Sequence, residues 1–146
     1  MKRIVYIILL ILWMSLIFMF SSESSQNSQN RSDKVTSEIV NIFTNTEGEE
    51  KDKLVEDFGF IIRKIAHFSL YLVLGILIYL VLNSYQVKHI ILLSILFCFL
   101  YACSDEIHQS IRGDRSGKIY DVIIDTIGSS VGISSVYLIN KKRKKR

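Results

Sequence analysis

The side chains able to do chemistry in this chain sit in three short stretches. The first is Arg63-Lys64-Ile65-Ala66-His67-Phe68, with Tyr71 just beyond it. The second is Ser104-Asp105-Glu106-Ile107-His108-Gln109, followed by Arg112 and Arg115. The third is the pair Asp121 and Asp125. Residues four apart share a helix face, so Arg63, His67 and Tyr71 form one stripe, and Asp105, His108 and Gln109 form another. Such a set supports three chemistries. His67 or His108 could move a proton while Asp105, Glu106 or Asp121 orients the imidazole. Two histidines and several carboxylates could hold zinc, manganese or iron, although no H-E-x-x-H is present, and whether a metal is used stays open. The same charges could instead be an ion-pair network that locks helices together.

What must position these residues is a membrane domain. The chain has 146 residues, 49% of them hydrophobic and none of them proline. The apolar residues come in four runs, each near the 17–25 residues that a span needs. They predict an all-α integral membrane protein with one domain over 1–146. Its helices fall at about 4–20, 60–82, 87–108 and 119–139, with a long outer loop over 21–59 and a basic tail over 140–146. The first run could be a signal peptide, but it is long for one and no Ala-x-Ala site follows it. The Ser-rich stretch 21–32 reads as a loose linker, with Asp33 capping the next helix. Val35, Ile39, Ile42 and Phe43, and then Leu54, Val55, Phe58, Ile61 and Ile62, repeat at helical spacing. They predict short amphipathic helices that lie on the membrane, or else a lid or docking surface.

Charge sets the orientation. Counted with the charged helix ends, residues 1–3, 83–88 and 140–146 on one side hold nine Lys/Arg and no acid in 16 residues, and residues 21–64 and 104–118 on the other hold nine Lys/Arg and twelve acids in 59 residues. The denser side is expected in the cytoplasm together with both termini. The basic tail Lys141–Arg146 then meets anionic lipid, and no nucleic-acid partner is expected. All three polar stretches fall at the outer face. A helix-dipole argument joins them. Arg63 and Lys64 would sit at a positive helix start and Asp105 and Glu106 at a negative helix end, so pairing them offsets two unfavourable placements. Asp121, Asp125, Gly128 and Gly132 form one stripe on the last span, where the glycines invite close helix contact. Asp125 lies within the apolar layer, where an ionisable group is costly and marks function. Cys98 and Cys103 lie on different faces and are expected to pack, as is Trp13.

In this order, Arg63-Lys64-x-x-His67-Phe68-x-x-Tyr71, Asp105-Glu106-x-His108-Gln109, Arg115, Asp121, Gly128 and Gly132 resemble the VanZ-like family, as does Phe20-Ser21-Ser22. The resemblance covers about residues 18–139. It departs at Asp125, where the family usually has Asn, and at Gly113-Asp114-Arg115, where a Pro-Gly often precedes the arginine. It implies a small multi-pass protein of the bacterial cell membrane, and its namesake is associated with resistance to the glycopeptide teicoplanin. The expected role is to bind or modify an anionic lipid-linked or envelope molecule at the outer face. His67, Asp105, Glu106, His108 and Asp121 would do the chemistry. Arg63, Tyr71, Gln109, Arg112, Arg115 and Asp125 would hold the ligand. A non-catalytic resistance factor and a structural partner of another membrane protein are the alternatives. Because the related pattern tolerates an uncharged amide at 125, Asp125 is expected to carry a proton and to act as an Asn mimic.

Overall fold

The computed structural model describes residues 1–43, 48–111 and 119–144. Five helices account for nearly all of them: α1 (Lys2–Ser21), α2 (Ser25–Phe43), α3 (Glu49–Ser84), α4 (Ile90–Ile111) and α5 (Ile119–Lys144). Four of the five, all but α2, are long and apolar enough to cross a membrane. The all-α architecture with four spans is therefore as the hydropathy pattern indicates. The chain divides into two compact units, Glu23–Ala66 and a second made of Met1–Ser22 with His67–Arg146.

In the unit Glu23–Ala66, two sequence expectations need correction. The Ser/Asn/Gln tract is helical from Ser25. Ser24 caps it, its hydroxyl accepting the Asn27 backbone N–H at 3.3 Å, which supplies the side-chain acceptor a helix start needs. The buried hydroxyls of Ser32 and Thr36 donate to the carbonyls of Gln29 and Ser32, so both are satisfied within the helix. Asp33, expected as a cap, lies inside α2 and faces Gly59 of α3. The second correction concerns α3, which starts at Glu49 rather than near Phe60. Glu49, Glu50 and Asp52 occupy its first turn, where acids complement the helix dipole. Its 36 residues extend about 54 Å at 1.5 Å per residue, well beyond the roughly 30 Å hydrocarbon layer. The amphipathic stripe and the span are one continuous helix.

The other unit is a bundle built from α1, the His67–Ser84 part of α3, α4 and α5. Its core holds Ile17, Tyr71, Leu74, Ile78, Tyr79, Cys98, Ala102 and Ile133. Small residues bring α3 and α5 into backbone contact. A Cβ on Gly75 would strike the Ser129 carbonyl, one on Gly132 the Leu72 carbonyl, and one on Gly128 the Phe68 oxygen at 2.5 Å. This is the close approach expected of the glycine stripe. Trp13 does more than pack, since its indole N–H donates to the Leu70 carbonyl at 2.9 Å. The Tyr101 hydroxyl donates to the Met14 carbonyl at 2.8 Å, and together the two bonds fasten α1 to α3 and α4. Cys98 is buried and Cys103 half-buried, both as free thiols.

The α3–α4 turn also explains why α4 starts at Ile90 and not at Val87. The Val87 N–H bonds the Leu82 carbonyl and the Gln86 N–H bonds the Asn83 carbonyl. With Gln86 at φ 54°, this is a Schellman C-cap without its usual glycine. The motif consumes the Val87 donor, and a second left-handed residue, His89 at φ 56°, sets the chain into α4. Arg3 stacks on the Tyr85 ring at 5.2 Å, which puts the start of α1 beside this turn. The opposite end of the bundle collects the end of α1, the end of α4, the start of α5, and α3 around His67.

Candidate functional site

At that end, each helix of the bundle contributes polar groups one turn apart: His67 and Tyr71 from α3, Asp105 and Gln109 from α4, Asp121 and Asp125 from α5, and Ser21 from α1. The four-residue spacing is what the sequence pattern requires, and the glycine contacts carry the α5 stripe against α3. Asp105, Gln109, Asp125 and Tyr71 are all buried.

The centre of the cluster is His67 with Asp125. The His67 Nδ1 stands 3.8 Å from Asp125 Oδ1, too long for a hydrogen bond but close enough for charge to be felt. The Asp125 Oδ1 and the Tyr71 hydroxyl are both buried without a hydrogen-bond partner among the described residues. Asp105 and Asp125 both act electrostatically on that hydroxyl. Around this core, Asp105 feels His67 and Asp125, and Asp125 feels Asp121 and Glu106. Leaving a buried polar atom unpaired costs about 1–3 kcal/mol. Two such atoms lie in this cluster, one on α3 and one on α5.

One side of the cluster is fully bonded. The Gln109 amide donates to Ser21 Oγ at 2.9 Å and to Asp105 Oδ2 at 3.3 Å, so it bridges α1 and its own helix. Ser21 was not among the residues expected from spacing. Phe20-Ser21-Ser22 carried its only signal, because nothing in the sequence says that the end of α1 meets the end of α4.

The other expected residues are placed as follows. His108 turns toward α1, its Nε2 lying 3.3 Å from Ser22 Oγ and its ring 4.9 Å from that of Phe18. Asp105 and Gln109 therefore share bonds, while His108 has different neighbours. Glu106 is half-buried, as is Asp121. Arg63 belongs to the unit Glu23–Ala66 and is half-buried, with a buried Nε that lacks a partner among the described residues. Arg112 and Arg115 lie outside the described residues. The charges expected to pair do not stand at helix ends, so no helix-end dipole draws them together. Arg63 and Lys64 sit well inside α3, and Asp105 and Glu106 lie more than a turn before the end of α4 at Ile111. Among the described residues, no three His, Cys, Asp or Glu side chains are grouped to hold a metal ion.

Chemically, the arrangement offers an imidazole facing a buried carboxylate, a second carboxylate held by amide and hydroxyl donors, and a phenol with an unused hydrogen-bonding group. Such a set can exchange a proton or grip a ligand carrying both donors and acceptors. It lies where ionisable groups are expensive to keep.

No curated protein and no solved structure matches the chain. The VanZ/LLP1 family model matches residues 6–140, which reaches into all four spans and includes every described residue of the cluster, and on this evidence the chain belongs to the VanZ/LLP1 family.

Proposed function

We propose that this chain is a cell-envelope protein of the bacterial membrane that binds or modifies an anionic lipid-linked or envelope molecule at the outer face, and that it contributes in this way to glycopeptide (teicoplanin) resistance. His67, Asp105, Glu106, His108 and Asp121 do the chemistry, while Asp125 faces His67 across 3.8 Å and, as an Asn mimic, holds the ligand through one hydrogen bond. Tyr71 and Gln109 hold polar groups of the ligand. Arg63, Arg112 and Arg115 take its phosphate or carboxylate, for which a planar guanidinium is suited. The termini are cytoplasmic in this reading, because the dense basic segments hold that side.

The observation that carries the reading is the pair of unsatisfied buried atoms, Tyr71 Oη and Asp125 Oδ1, in a cluster drawn from several spans. A network built only to join helices would be expected to satisfy its members, as the Gln109–Ser21–Asp105 side does. That bonded side favours a second, structural role for part of the same cluster: fastening α1 to α4.

The experiment is mass spectrometry of lipids and lipid-linked molecules retained by the purified full chain, set beside a His67→Gln, Asp125→Leu double variant of matched folded yield. An anionic lipid-linked species enriched on the wild type and lost from the variant is the expected result. Identical lipid profiles would remove the binding reading and leave the structural one.

A further inference from the structure

Helix α2 is divided into three faces. Ser32, Thr36 and Val40 are buried, and α2 packs on α3 with Asp33 and Thr36 facing Gly59. Lys34, Glu38 and Asn41 form an exposed polar face. Between the two runs a stripe of large apolar side chains at i, i+4, i+7 and i+8: Val35, Ile39, Ile42 and Phe43. They are 45%, 42%, 76% and 80% exposed. The helix thus packs on its protein neighbour through small and polar residues and leaves its apolar ones outside, the reverse of an ordinary surface helix. A contiguous apolar face of this kind marks an interaction surface.

We infer that the occupant of this face is lipid: α2 is an interfacial helix, with Val35, Ile39, Ile42 and Phe43 seated in the interface of the same membrane that its flanking spans cross. Three observations select lipid over a protein partner. Only residues 22–24 separate α2 from α1, which is itself a span, so α2 is tethered at the bilayer surface. In the same unit, α3 exposes Phe58, Ile61 and Ile65 on the way into its own span, which continues the apolar surface into the hydrocarbon. Finally, the charges of α2 cancel, with Arg31 and Lys34 against Asp33 and Glu38. Attachment therefore comes from apolar burial and does not require anionic headgroups. The inference is independent of whether the polar cluster binds a ligand.

The test uses the full chain in phosphatidylcholine nanodiscs, with Cys98 and Cys103 replaced by alanine. An environment-sensitive fluorophore is attached to a single cysteine at Ile39, Ile42, Lys34 or Asn41. Brominated acyl chains should quench the probes at 39 and 42 several-fold more than those at 34 and 41, aqueous iodide should do the reverse, and adding anionic lipid should change neither. Equal quenching at all four positions would overturn the inference. So would shielding of 39 and 42 from both quenchers, which would mean a protein cover, whether a second copy or another partner. A wild-type chain photolabelled by a lipid carrying a shallow diazirine gives the same answer without substitutions. Label on the peptide containing Val35–Phe43 supports the inference, and its absence there, with label present on the spans, overturns it.

Discussion

Gly128 ties helix packing to the geometry of the polar cluster, so an added methyl group there should be felt twice. A Cβ at this position would lie 2.5 Å from the Phe68 carbonyl oxygen and 3.2 Å from both its carbonyl carbon and its Cα. Ordinary carbon–oxygen contacts begin near about 3.3 Å, so Gly128→Ala demands a separation of about 0.8 Å. The obstacle is backbone inside a helix and cannot rotate away. Because backbone cannot yield as a side chain would, the upper part of the overpacking range applies, about 2–3 kcal/mol; Ala returns up to about 1 kcal/mol through its better helix propensity, leaving a net loss of about 1–2 kcal/mol. Phe68 directly follows His67, and Gly128 lies less than one turn from Asp125. The same displacement should therefore lengthen the 3.8 Å approach of His67 to Asp125 and impair whatever the cluster does. Thermal unfolding in detergent, read by intrinsic fluorescence, measures the first effect, with exposed Ser135→Ala as the neutral control. Gly128→Ala as stable as wild type would refute the close backbone packing of α3 and α5.

Other consequences are open to direct measurement. Gln109→Ala removes the bonds to Ser21 and Asp105 and should lower stability by about 1–3 kcal/mol; an unchanged unfolding midpoint would show that this bridge does not fasten α1. Asp125→Asn should preserve folding and any resistance the protein confers, whereas Asp121→Asn should impair resistance at similar folded yield. Loss of resistance in a folded Asp125→Asn protein would show that the charge is required and would bring metal chemistry forward. For orientation, single cysteines at Ser22, Glu56 and Ser116, in a background lacking Cys98 and Cys103, should react with an impermeant thiol reagent on intact cells, and those at Ser84 and Asn140 should not. The opposite pattern would place the cluster on the cytoplasmic side.

The four spans were legible because hydropathy records the solvent each helix meets. It does not record where a backbone hydrogen-bond ladder starts, and so the sequence missed that α3 already runs from Glu49. Nor could composition distinguish a loose Ser-rich tract from a helix whose hydroxyls bond back to its own carbonyls, as in α2. Helical spacing grouped His67 with Tyr71, Asp105 with Gln109, and Asp121 with Asp125, since those relations lie within single helices. It placed His108 with Asp105, although contacts with Phe18 and Ser22 decide where His108 sits. The part played by Ser21, signalled only by Phe20-Ser21-Ser22, was not readable from spacing for the same reason: it depends on which helix ends meet. Gln86 and His89 gave no warning of a left-handed turn, because the Schellman cap there lacks the glycine that usually announces it.

The central claim is that the buried cluster holds a ligand as well as joining helices, and Tyr71 separates the two roles. Its hydroxyl has no hydrogen-bond partner among the described residues, so Tyr71→Phe removes an unsatisfied buried group and should leave stability unchanged or slightly raised. The measurement is native mass spectrometry of wild-type and Tyr71→Phe protein released from the same membrane preparation, with unfolding midpoints recorded in parallel. The account predicts an equal or higher midpoint and a clear loss of the retained anionic lipid-linked species in the variant. An equal midpoint with retention identical to wild type would contradict it.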